Sequence, residues 1–126
     1  MNNDYTEKRS EKRLSYNWPV WFAEDFGGIL AQGQMADISS ADAAFTCYAD
    51  KCPLQGQNIT ARFSIPIYDA DESFCLENLI KEGSITRVEE VNPFMRKVVL
   101  KFHEPLDFEP GEQVETDVAQ TTFATI

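Results

Sequence analysis

The chain has no long apolar run. Across 126 residues, nothing approaches the roughly 18 uninterrupted apolar positions that a membrane-spanning helix requires. Its opening residues, Met1 to Arg9, also lack the apolar stretch of a secretory signal. The expectation is a cytoplasmic protein without membrane insertion. Histidine is nearly absent: His103 is the single one, and none of Cys47, Cys52 and Cys75 forms a Cys-x-x-Cys pair. A zinc set drawn from those four residues matches no common spacing. Three cysteines are an odd number for a disulfide framework, which predicts reduced thiols. There is no glycine-rich phosphate loop and no nucleophile elbow, so the reading is a protein that is not an enzyme, with no catalytic residues, resident metal or cofactor. Asp69, Asp71 and Glu72 resemble a fragment of a calcium loop, but without its glycine and terminal glutamate they read as a solvated turn.

Basic residues are in the minority, with 11 Lys and Arg against 21 Asp and Glu, a formal charge of −10. That balance argues against DNA, RNA or an anionic membrane as a partner of the whole surface. The exception is local. Residues 7 to 13 hold Lys8, Arg9, Lys12 and Arg13 against Glu7 and Glu11, a net +2 that leaves −12 on the remainder. A small anion can still be drawn to this stretch, because charges beyond a Debye length of about 8 Å are largely screened.

What the chain does contain is strand material. A hydrophobic content of 43%, with nine Phe, four Tyr and two Trp, suits one globular domain of ordinary size. Trp18 to Ala23 reads as a bulky strand with Pro19 near its start. Ile29 to Ile38 follows, with a bulge expected at Gly33. Ala43 to Tyr48 is a third extended segment. Ile59, Ala61, Phe63 and Ile65 alternate onto one face of a fourth. Phe74 to Val91 looks like strand interrupted near Gly83, and Lys97 to Phe102 is the last. Short strands, polar turns and no intervening amphipathic helix predict an all-β fold, a small antiparallel barrel of about six strands.

The reading divides the chain into an N-terminal arm over residues 1–17, polar and extended at its start; the barrel over 18–105; and a C-terminal segment over 106–126. Val114, Val118 and Thr122 fall at helical spacing in that last segment, which gives the expectation of a short terminal helix.

Two short motifs carry the functional signal. Arg9-Ser10-Glu11-Lys12-Arg13 precedes the first strand, and Asp37-Ile38-Ser39-Ser40-Ala41-Asp42 ends the second. Paired guanidinium groups can form bidentate hydrogen bonds to phosphate or to the O6/N7 edge of guanine, and their faces stack on bases. A carboxylate at Asp37 can accept from guanine N1 and N2, and the Ser39 hydroxyl can donate or accept beside it. In this order the motifs resemble the two-part signature of PilZ domains, Arg-x-x-x-Arg followed by Asp/Asn-x-Ser-x-x-Gly, over about residues 7 to 105. The resemblance implies a receptor for cyclic di-GMP, in which Arg9 and Arg13 clamp phosphates and guanine, Lys8 lends charge, and Asp37 and Ser39 read a guanine edge. It further implies a bacterial second-messenger adaptor acting on motility, attachment, biofilm or exopolysaccharide through an unidentified protein partner, as a monomer or weak dimer.

Asp42 stands where the family has glycine. It adds a negative charge beside an anionic ligand, which implies weakened or lost binding. The alternative is a PilZ-like interaction adaptor that does not bind cyclic di-GMP.

Overall fold

The computed structural model describes residues 11–25, 28–68 and 74–113, with the backbone alone described at 68 and 74. Seven strands follow in order: β1 (Leu14–Ser15), β2 (Pro19–Ala23), β3 (Ala31–Ile38), β4 (Asp42–Tyr48), β5 (Asn58–Tyr68), β6 (Phe74–Asn92) and β7 (Met95–Phe102). Every pairing is antiparallel. The sheet runs β3-β2-β5-β6-β7-β4 and closes through a β3–β4 pairing, giving a six-stranded barrel with β1 laid on β3. Closure leaves most of the sheet without exposed edges, the usual reason a small all-β chain curls on itself. No described helix is long and apolar enough to cross a membrane.

The alternating strand patterns feed one core. Val20, Phe45, Ile65, Val98 and Leu100 are fully buried, and each such side chain contributes about 1.5–3 kcal/mol relative to exposure. Phe22 leans on Phe45 at 5.0 Å between ring centroids, and Phe63 stacks on Phe102 at 6.0 Å.

Part of the segment read as an arm belongs to this core. Leu14 and Tyr16 are buried, and β1 is in effect the start of β2. The Tyr16 N–H donates to the Ala36 carbonyl at 3.2 Å, and the Met35 N–H to the Trp18 carbonyl at 2.8 Å, which carries the ladder through the break. Leu14 sits opposite Ile38 and Ser15 opposite Asp37, so Arg13 emerges beside the end of β3.

Two glycine readings need correction. β6 is not interrupted at Gly83; it runs for 19 residues and changes partner there, from β5 to β7. A Cβ on Gly83 would lie 2.3 Å from the Lys101 carbonyl oxygen. Glycine thus permits close strand approach rather than marking a break. Likewise the β3 bulge lies at Ala36, between Met35 and Asp37, not at Gly33. The extra residue reverses the side-chain alternation, so that Met35 and Ile38 both face the core while Asp37 faces out.

Beyond β7, Leu106 returns to the core, its N–H donating to the Ser40 carbonyl at 2.7 Å. A 3-10 turn spans Pro110–Glu112. The terminal helix expected on Val114, Val118 and Thr122 lies outside the described residues, as does the Asp69, Asp71 and Glu72 turn.

Candidate functional site

The bulge and the two collinear strands bring the halves of the split motif together at one end of the barrel. Arg13 Nε donates to Asp37 Oδ1 at 2.7 Å, and Arg13 Nη1 pairs with Asp42 Oδ1 at 2.7 Å. One guanidinium therefore bridges two carboxylates, one from the end of β3 and one from the start of β4. Burial alone would lower the Arg13 pKa, but the hydrogen bonds and charges of Asp37 and Asp42 outweigh it and hold the pKa above its ordinary value.

Ser39 is turned inward and buried. Its Oγ accepts the N–H groups of Ala41 at 3.2 Å and Asp42 at 3.3 Å, and its hydroxyl donates to Asp42 Oδ1 at 3.2 Å. The Ser39 N–H donates to the Asp42 carbonyl at 2.9 Å. Such local side-chain to backbone bonding is what serine offers in a tight connection. Asp42 thus does two things in place of glycine: it closes the β3–β4 turn and it holds Arg13.

The arm is held from both sides. The Glu11 carboxylate accepts the Ser40 N–H at 2.7 Å and the Ser40 hydroxyl at 2.8 Å. On the other side, the Lys12 N–H donates to Glu112 Oε2 at 2.7 Å. A Cβ on Gly111 would lie 2.3 Å from the Lys12 carbonyl oxygen, so only glycine lets the C-terminal turn lie this close to the arm. Residues 11 to 13 are docked by contacts within the chain itself.

Of the expected site residues, Arg13, Asp37, Ser39 and Asp42 converge, while Lys8 and Arg9 lie outside the described residues. Sequence reasoning misses Glu11, Ser40 and Glu112. In the sequence Glu11 counts only as a charge, and nothing periodic links it to a serine 29 positions away.

His103 Nε2 lies 3.3 Å from Ser84 Oγ, and among the described residues no cluster of three or more His, Cys, Asp or Glu is placed to hold a metal. Cys47 is buried; burial and the neighbouring Cys52 thiol push its pKa up to about 12.

No family model matches the chain, and no curated protein gives a significant match. A solved structure of the Bacillus subtilis inhibitor of motility, MotI/DgrA, aligns with a TM-score of 0.63 at 12% sequence identity, covering 91% of this chain and 52% of that one. The fold is therefore the PilZ-like barrel. The chain spans about half the length of that protein, and the likeness concerns the fold alone.

Proposed function

We propose that this chain is a PilZ-type adaptor that binds cyclic di-GMP at the barrel end and passes that event to a protein partner. The observation that carries the reading is the 2.7 Å contact between Arg13 and Asp37, which joins the arm motif to the strand motif. In this reading Arg13 exchanges its carboxylates for a ligand phosphate or guanine edge, Arg9 and Lys8 add charge from the preceding residues, and Asp37, once released, accepts from guanine.

Magnitudes favour binding over its abolition. Arg13 and both its partners are partly exposed, and exposed ion pairs contribute about 0–1 kcal/mol each. Breaking two costs at most about 2 kcal/mol, which lowers affinity by up to roughly thirtyfold. A ligand making several charge-assisted hydrogen bonds can absorb that loss. Regulation of motility as an output is supported by the description of the structural neighbour as an inhibitor of motility.

The second reading, an adaptor that ignores the nucleotide, is favoured by the Arg13–Asp42 pair, which neutralises the one motif arginine among the described residues. Filter retention of labelled cyclic di-GMP separates the two. Retention competed by unlabelled cyclic di-GMP, but not by GTP or cyclic di-AMP, supports the receptor. Absence of retention at tens of micromolar supports the nucleotide-blind adaptor.

A further inference from the structure

Among the described residues, β6 lacks a neighbour on its β7 side over part of its length. β6 pairs with β5 from Phe74 to Ser84, but β7 covers its other side only from Gly83 onward. Among the described residues, 74–81 therefore present an edge with no neighbouring strand. Hydrogen-bond parity identifies the groups on it. Ile85 exchanges both its backbone bonds with the β5 side, donating to Gln57 and accepting from Gly56, whereas the Glu82 carbonyl accepts from His103 on the β7 side. In an antiparallel ladder this alternation has a period of two. The N–H and C=O groups of Leu76, Asn78 and Ile80 thus point away from β5, and no described residue pairs with them. Leu76 and Ile80 are themselves large and apolar, 47% and 60% exposed, a combination that natural sheets usually cover or charge.

A groove of about 960 Å³ adjoins this edge, where β7 would run had the chain not turned away at Phe102. Its lining includes the apolar side chains of Ile67, Leu106 and Phe108 and the carboxylates of Glu77, Asp107 and Glu109. Those three carboxylates form no ion pair among the described residues.

We infer that this edge and groove form a docking site for an extended basic segment of a partner protein, which adds a strand to β6. Backbone groups supply the pairing, as in other cases of strand addition. Alternate apolar side chains of the incoming strand enter the groove, and its lysines or arginines meet the three carboxylates. Charge complementarity selects this occupant over this chain's own tail, since residues 114–126 carry Glu115 and Asp117 and no basic residue. It likewise disfavours a second copy of a protein at −10. Strand addition at this edge does not depend on nucleotide binding.

The test uses the full chain and a ten-residue peptide alternating lysine with valine, with a glutamate–valine peptide as the control. Amide exchange followed by NMR reads the geometry. The lysine peptide is expected to bind saturably and to slow exchange at least tenfold at Leu76, Asn78 and Ile80, leaving the Glu77 and Leu79 amides, which face β5, unchanged. Glu109→Lys is expected to weaken binding at least fivefold. Ile80→Pro, which removes an outward N–H only, is expected to weaken it at least tenfold with Val98 and Leu100 exchange unaltered. Equal binding of the glutamate peptide, or binding without slowing at those three amides, overturns the proposal. So does slow exchange there in the peptide-free protein, whether constant with concentration, which assigns the edge to the chain's own tail, or rising with dimer formation, which assigns it to a second copy.

Discussion

Arg13 and Asp42 stand 2.7 Å apart across the β3–β4 turn, so the residue that departs from the motif is bonded to the residue that defines it. Both side chains are partly exposed, 37% and 29%, and pairs in such settings contribute little net stability. Asp42→Ala is therefore expected to lower unfolding free energy by no more than about 1 kcal/mol, measured by urea denaturation. A loss several times larger would mean that Asp42 serves the turn far more than it restrains Arg13.

Gly83 supports a sharper expectation. A methyl group there meets the Lys101 carbonyl oxygen at 2.3 Å and Leu100 Cδ1 at 2.9 Å, and backbone on both sides is fixed by ladder bonds. Gly83→Ala should destabilise by about 1–3 kcal/mol, as overpacking does. Gly56 is a contrasting case: its φ is +90° and a Cβ there would meet nothing within 4 Å, so Gly56→Ala should cost about 1–2 kcal/mol from backbone strain alone. Urea midpoints of the two variants check both values.

Tyr16 carries a buried hydroxyl with no hydrogen-bond partner among the described residues, and burial raises its pKa. An unsatisfied buried polar group costs about 1–3 kcal/mol. Tyr16→Phe removes that cost while keeping the edge-on contact with Trp18 at 5.8 Å. The variant should be at least as stable as the wild type in thermal unfolding, and a clear loss of stability would reveal a partner for the hydroxyl.

The three thiols should react in order of exposure, with Cys47 held back further by its raised pKa. Cys75 is exposed and Cys47 is buried with its pKa pushed up to about 12, so at a pH of about 8 very little Cys47 is thiolate. Iodoacetamide labelling followed by mass spectrometry should modify Cys75 first and Cys47 last. Raising the pH toward about 10 should increase the Cys47 rate, because the thiolate fraction grows as pH approaches the pKa.

Strand identity is legible in the sequence where bulky and β-branched residues alternate, as in Ile59 to Ile65 and Lys97 to Phe102, because burial of one face imposes a period of two. Gly83 misleads because a glycine weakens a strand locally, while its reason here is the close approach of the Lys101 backbone on the neighbouring strand β7. The motif halves are legible as a pair, and Arg13 and Asp37 do meet. The tie between Arg13 and Asp42 is not, since a side-chain pair so far apart in the chain leaves no periodic trace. Glu11 is similar: its hold on Ser40 depends on β1 lying against β3, a register set by Leu14 and Ile38 in the core. The open edge of β6 is hidden because strand length in sequence says nothing about which neighbour stops first.

The receptor reading stands or falls on titration calorimetry of cyclic di-GMP into wild type, Arg13→Ala and Asp42→Gly. Saturable heat is expected in the wild type, with binding weakened at least tenfold by Arg13→Ala and tightened between about three- and thirtyfold by Asp42→Gly as the competing carboxylate is removed. No heat from wild type or Asp42→Gly at tens of micromolar, or an affinity indifferent to Arg13, would contradict it.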